Sequence, residues 1–123
     1  MSQKPTNWKY RDFYNRQVDF LTRNDVEGLI KNQYTEDAEL INFDYHIKGA
    51  PALVEYFKGY VAGLGYIKLL STDKYTEGDD SVFFESTVET AGGTARVYDV
   101  FVMRGNKICR HFAGLLGFTP KAS

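Results

Sequence analysis

From Tyr66 onward the chain is written in strands: "YIKLLSTDKY", "SVFFESTVET", "TARVYDVFVM" and "KICRHFAGLLGF" follow one another. Turn signals at Gly78-Asp79-Asp80, Gly92-Gly93 and Arg104-Gly105-Asn106 separate them. That spacing predicts hairpins, and an antiparallel meander is the simplest arrangement of four strands so joined. The last two strands are apolar on both sides. Val97, Phe101, Cys109, Ala113 and Leu115 fall on one face, and Val100, Val102, Ile108, Phe112, Leu116 and Phe118 on the other. A sheet in water usually keeps one wet face, so both faces of this one need cover. The first half of the chain can cover one, and a second copy of the chain is the expected cover for the other.

The first half is helical. Thr6 or Asn7 can cap a helix in which Phe13, Tyr14, Gln17, Val18 and Leu21 recur on one face. Asn24 and Asp25 break and recap the chain, and Val26, Leu29, Ile30, Gln33 and Tyr34 form the inner stripe of a second helix. "AELINFDYHIKG" reads as a short strand, a turn and a strand fragment. Gly49-Ala50-Pro51 opens a third helix, because proline is tolerated in a first turn where its missing N–H has no partner to lose. Leu53, Tyr56, Phe57 and Tyr60 mark its buried face. Helices first and strands afterwards, with no linker, repeat or low-complexity stretch between, predict an α+β fold in a single domain over residues 1–123, with 1–6 and 119–123 as tails.

Several classes of function are disfavoured. The 15 basic and 16 acidic residues give a net charge of −1 with no dense basic block, so the footprint that nucleic acid requires is missing. One cysteine, Cys109, rules out an internal disulfide and fits a reducing compartment. The opening "MSQKPTNWKY" lacks the apolar core of a secretory signal, and no apolar run approaches the roughly 20 residues that span a bilayer. A cytoplasmic protein with no membrane and no nucleic-acid partner is the expectation. "GLG" at 63–65 is not a dinucleotide fingerprint, since it follows a helix and lacks the third glycine. Nine Tyr, nine Phe and one Trp suit a cavity with a mostly apolar wall and a few hydrogen bonds, although any one ring can equally be core.

Three helices before a curved meander, with "DVEGLIKNQYTEDAELINF", "IKGAPALVEYFKGY" and the closing "KICRHFAGLLGF", resemble the nuclear transport factor 2-like superfamily. That group includes SnoaL-like polyketide cyclases, ketosteroid isomerase and limonene epoxide hydrolase. The resemblance runs from about Phe13 to Phe118 and implies a cone, in which the sheet wraps the helices and a pocket opens between them. It implies further that Asp99 occupies the place of the protonated aspartic acid of ketosteroid isomerase, while Asn42 stands where the aspartate base should be and Gln17 where the oxyanion tyrosine should be. Asparagine cannot take up the proton, which disfavours steroid isomerisation of that kind. His111 falls at an aspartate of the epoxide hydrolase set whose arginine would fall at Val97, with Arg96 on the outer face, and this disfavours epoxide hydrolysis. A SnoaL-like cyclase asks only for a pocket acid/base in an apolar cavity.

Asp99 and His111 are the candidate catalytic pair, since a buried carboxylate orients an imidazole and raises its basicity. Tyr14, Gln17, Tyr34 and Asn42, then Tyr56, Phe57 and Tyr60, then Phe84, Ser86, Val97, Phe101, Cys109, Ala113 and Leu115, are expected to line the pocket. Tyr14, Tyr34 and Asn42 would orient the ligand. Whether the pair meets depends on one residue of turn length. A two-residue turn at Gly105-Asn106 sets Asp99 opposite Phe112 and turns His111 away, whereas a three-residue loop sets Asp99 opposite His111. The second register is preferred here, with Asn106 supplying the left-handed residue. Cys109 and His111 on one face form a weak metal or thiol-nucleophile set, because two histidines and one cysteine are a poor ligand inventory. Neither a metal nor a cofactor is expected. The reading is a small-molecule pocket protein, an acid/base enzyme of cyclase, isomerase or dehydratase type on an apolar or aromatic substrate, or else a ligand-binding or dimerisation module of the same fold.

Overall fold

A computed structural model describes residues 8–122. Helices α1 (Arg11–Thr22) and α2 (Val26–Gln33) lead into strands β1 (Tyr34–Ile41) and β2 (His46–Lys48), and then come α3 (Ala50–Leu64) and the strands β3 (Lys68–Glu77), β4 (Ser81–Thr90), β5 (Gly93–Arg104) and β6 (Lys107–Pro120). All six strands form one sheet in the order β2-β1-β6-β5-β4-β3. The meander from β3 to β6 is antiparallel as expected, whereas β1 joins β6 in parallel. The molecule is an α+β cone: a curved, unclosed sheet whose concave face is filled by the three helices.

Local chemistry explains the helix boundaries. Asn24 takes a positive φ of 57° after α1, a conformation asparagine tolerates better than most residues, and the Asp25 carboxylate accepts the Gly28 N–H at 2.9 Å to cap α2. Thr6 and Asn7 lie outside the described residues. Tyr34 is not the end of the α2 stripe: its backbone is extended (φ −121°, ψ 148°), and it opens β1. On α3 the fully buried residues are Leu53, Phe57 and Val61, four apart, which leaves Tyr56 and Tyr60 on the flank of the helix. Thr119 and Pro120 are not tail residues, because they pair with Thr94 and Gly93.

The sheet is bent by irregularities that add a residue to one strand. Leu70 and Asp73 on β3, and Cys109 and Leu116 on β6, have no direct partner across the ladder. An extra residue bends its strand, sharpens the local twist and reverses the alternation of faces beyond it. Ile108 is therefore fully buried and Phe118 faces the concave side, both opposite to strict alternation. Leu29, Leu40, Leu53, Val82, Ile108, Tyr14 and Phe101, all 2 % exposed or less, form the centre of the core between helices and sheet.

At the far end of β5 the backbone of Gly93 (φ 154°) lies against β6 so closely that a Cβ there would sit 2.2 Å from the Thr119 carbonyl oxygen. Gly93→Ala is expected to destabilise the fold by more than about 1 kcal/mol, since neither the dihedral nor the space suits a side chain. Chemical denaturation checks this, and an unchanged midpoint would show that the two strands can separate there at no cost.

Candidate active site

The concave face and the helices enclose a cavity of about 340 Å³, within the range of about 300–1,000 Å³ usual for small-molecule sites. Its wall is mainly apolar and aromatic. Asp99 and His111 reach it from neighbouring strands, and His111 Nε2 lies 2.6 Å from Asp99 Oδ1.

The two residues share a face by a route different from the expected one. The β5–β6 turn is the two-residue Gly105-Asn106, with Arg104 opposite Lys107. Gly105 carries the positive φ (64°) in place of Asn106, as a turn with glycine at its first central position requires. By itself this register would set Asp99 against Phe112 and turn the imidazole outward. The bulge at Cys109 then adds one residue to β6 and restores the parity: Phe101 faces His111 and Asp99 faces Ala113, so the pair is diagonal on one face. Cys109 is itself the extra residue. It does not line the cavity, and its S–H donates to the Val102 carbonyl at 3.4 Å. The proposed sharing of a face by Cys109 and His111 therefore fails. Among the described residues no three His, Cys, Asp or Glu side chains are grouped to hold a metal ion.

His111 is only 5 % exposed and sits among rings, with Phe101 edge-on at 4.9 Å between centroids and Tyr34 and Phe57 more nearly parallel at 6.0 and 6.4 Å. Its Nδ1 lies 2.8 Å from the Tyr34 hydroxyl, so both ring nitrogens are engaged by protein. Asp99 differs. Its Oδ1 holds the imidazole, while Oδ2 has no hydrogen bond from the described residues; no fully buried side-chain oxygen among them lacks a partner, so Oδ2 opens to the cavity.

Burial pushes the Asp99 carboxyl above its ordinary pKa, and the hydrogen bond with His111 pulls it only part of the way back. The consequence for stability has a definite sign. A carboxyl that holds its proton more tightly when folded costs stability once ionised, and the cost disappears as pH falls through the folded pKa towards the unfolded value. The stability of the parent relative to Asp99→Asn is thus expected to improve from pH 7 towards pH 4, as read by urea denaturation of both proteins at each pH. A constant difference would show that Asp99 is not perturbed.

Of the other residues expected at the pocket, Tyr14, Gln17, Asn42, Tyr56, Phe57, Tyr60, Phe84, Ser86, Val97, Phe101, Ala113 and Leu115 line it. Tyr34 does not, because it lies behind His111 at 2 % exposure. The three groups expected to orient a ligand are already committed. The Tyr14 hydroxyl meets Thr72 Oγ1 at 2.6 Å, Tyr34 holds His111, and the Asn42 amide donates to the Ala113 carbonyl at 2.7 Å while accepting the Asp44 N–H at 3.0 Å. Asn42 thus ties the end of β1 to β6. Among the described residues no hydrogen bond engages the Ser86 or Tyr60 hydroxyl. Burial raises the Tyr60 phenol to about 12, so it remains a donor throughout the neutral range. Tyr45 reaches the mouth and hydrogen-bonds Tyr56, whereas Asp44 stays outside. Leu40 and Phe118 also line the cavity, Leu40 two residues before Asn42 on the same strand face, a spacing legible in the sequence.

A cone with this cavity defines a class, the small-molecule pocket proteins of nuclear transport factor 2-like fold. Within that class the sequence profile of the SnoaL-like domain matches residues 14–111, and the chain belongs to that family. No curated protein matches the sequence. Solved structures share the fold at low identity. A nuclear transport factor 2-like protein from Anabaena variabilis superposes with a TM-score of 0.73 at 21% identity, over 92% of this chain and 96% of that one. A candidate SnoaL-like polyketide cyclase from Shewanella putrefaciens gives 0.76 at 10% identity, over 89% and 81%. AclR from Streptomyces galilaeus, a candidate hydroxylase, gives 0.72 at 15% identity, over 87% and 88%. Among the described residues no helix is long and apolar enough to cross a membrane.

Proposed function

We propose that the protein is an acid/base enzyme of cyclase, isomerase or dehydratase type, acting on a small apolar or aromatic molecule, with Asp99 as the group that moves the proton. The observation that carries this reading is the unpaired Asp99 Oδ2 at the wall of an aromatic cavity, on a carboxyl that burial makes more basic than usual. His111 holds the other oxygen and sets the direction of the free one. The Ser86 and Tyr60 hydroxyls are the available donors for a substrate carbonyl. The names of the Shewanella and Streptomyces structures support chemistry on small molecules in this fold. Solvent deuterium exchange into the α-carbon of small cyclic and aromatic ketones tests the reading directly. Exchange by the parent that Asp99→Asn lacks is the expected result, and equal rates in both proteins would overturn it.

The alternative, a ligand-binding or assembly module, is favoured by the internal commitment of Tyr14, Tyr34 and Asn42. Either reading includes a homodimer through the convex sheet face, where Phe83 and Leu116 stand 46 % and 45 % exposed. Light scattering should give twice the chain mass, and Phe83→Lys should bring it to the monomer value; a monomeric parent would remove the dimer.

A further inference from the structure

A chain of buried amides leads from the core to the cavity wall, and its first member has a fixed direction. The Gln33 side chain, 1 % exposed, places one end of its amide 3.0 Å from the carbonyl oxygen of Phe13. A carbonyl oxygen can only accept, so that end is the nitrogen. The same nitrogen gives its second hydrogen to Gln17 Oε1 at 3.3 Å, which fixes the Gln17 amide and turns its nitrogen to the Tyr34 hydroxyl at 2.9 Å. The Tyr34 oxygen therefore accepts from Gln17, and the acceptor within reach of its own O–H is His111 Nδ1 at 2.8 Å. A ring nitrogen that accepts carries no proton. The proton of a neutral imidazole then sits on Nε2, pointing at Asp99 Oδ1.

We propose that Gln33, Gln17 and Tyr34 are positioning residues that hold His111 as the neutral Nε2–H tautomer, so that the imidazole donates to Asp99 and cannot itself take up a proton from a ligand. An imidazolium would turn Nδ1–H towards Tyr34 and leave the phenol hydrogen without an acceptor in a side chain that is 2 % exposed. The roles expected from the sequence are thereby reversed: the imidazole orients the carboxylate, and the lone pairs open to the cavity belong to Asp99 Oδ2. The use of this device in catalysis rests on the function proposed above. The placement of the protons does not.

The test therefore reads protons rather than turnover. The chain has two histidines, His46 and His111, so histidine-selective 15N labelling with long-range 1H–15N correlation gives two imidazole patterns, assigned by His46→Gln. At neutral pH His111 should show an unprotonated Nδ1 and a protonated Nε2. Gln17→Glu keeps the shape but offers an acceptor on both sides, so the Tyr34 hydrogen turns to the introduced carboxylate and Nδ1 becomes the protonated nitrogen or both nitrogens carry protons. If that variant does not fold, Tyr34→Phe removes the donor, and the Nδ1 resonance should move from the position of a hydrogen-bonded acceptor to that of a free unprotonated nitrogen, whereas an unmoved Nδ1 resonance overturns the proposal. A parent with its proton on Nδ1, or a folded Gln17→Glu with the parent pattern, overturns the proposal. The expected pattern in a protein without exchange activity keeps the proton assignment and refutes only the enzyme.

Discussion

Asp99→Asn is expected to lower turnover by about 10²–10⁴-fold, the usual worth of a positioned general acid or base. The substitution keeps the shape of the side chain, and asparagine Oδ1 can still accept the His111 Nε2–H now made at 2.6 Å. What disappears is the ability of the second oxygen to take and return a proton. The loss should therefore fall on kcat, with binding of a substrate analogue changed much less. His111→Gln should act more weakly, since it disturbs the aim of the carboxylate while leaving the carboxylate in place. Steady-state kinetics on any ketone that exchanges with the parent make the comparison. Equal losses of binding and turnover in Asp99→Asn would assign the residue to structure instead.

Phe101→Ala is expected to produce the largest loss of stability, about 3–5 kcal/mol, because it removes a whole ring from a closed site. Phe101 is 1 % exposed and packs edge-on to Phe13, Phe84 and His111 at centroid distances of 6.1, 5.2 and 4.9 Å. It thus links α1, β4 and β6 beneath the cavity. Typical domains have only about 5–15 kcal/mol to lose, so the variant stands near the edge of folding. Urea denaturation should show a lower midpoint with an unchanged slope. A loss below about 1 kcal/mol, no more than an average substitution costs anywhere in a protein, would mean that the cavity collapses onto the gap.

The helices, the strands and the places of the turns were legible because each has a local cause, but the length of the β5–β6 turn was not: the two-residue Gly105-Asn106 stands where a three-residue loop was expected. Asp25 caps α2 through its own carboxylate, and Pro51 starts α3. The aromatic lining was legible for the same reason, since Tyr14, Phe57, Phe84 and Phe101 sit on faces that a period of 3.6 or 2 selects. Tyr34 was misplaced by one element because Leu29, Ile30, Gln33 and Tyr34 continue a helical stripe, and pairing with Ile108 across the sheet outweighs that local pattern. Gln33 was visible as a polar residue on an apolar stripe, but its partners at Phe13 and Gln17 lie 20 and 16 residues away.

Capping, periodicity and turn chemistry act over a few residues, and they were enough to specify an α+β chain with three helices, a four-stranded meander and a cavity wall rich in rings. The parallel β1–β6 pair, the bulge at Cys109 that brings His111 to the side of Asp99, and the choice of polar groups left free for a ligand all arose from the packing of distant segments. A bulge is selected by the bending of the whole sheet around its helices, and hydrogen-bond commitments are settled only when those segments meet. Neither leaves a signature in the residues that carry it.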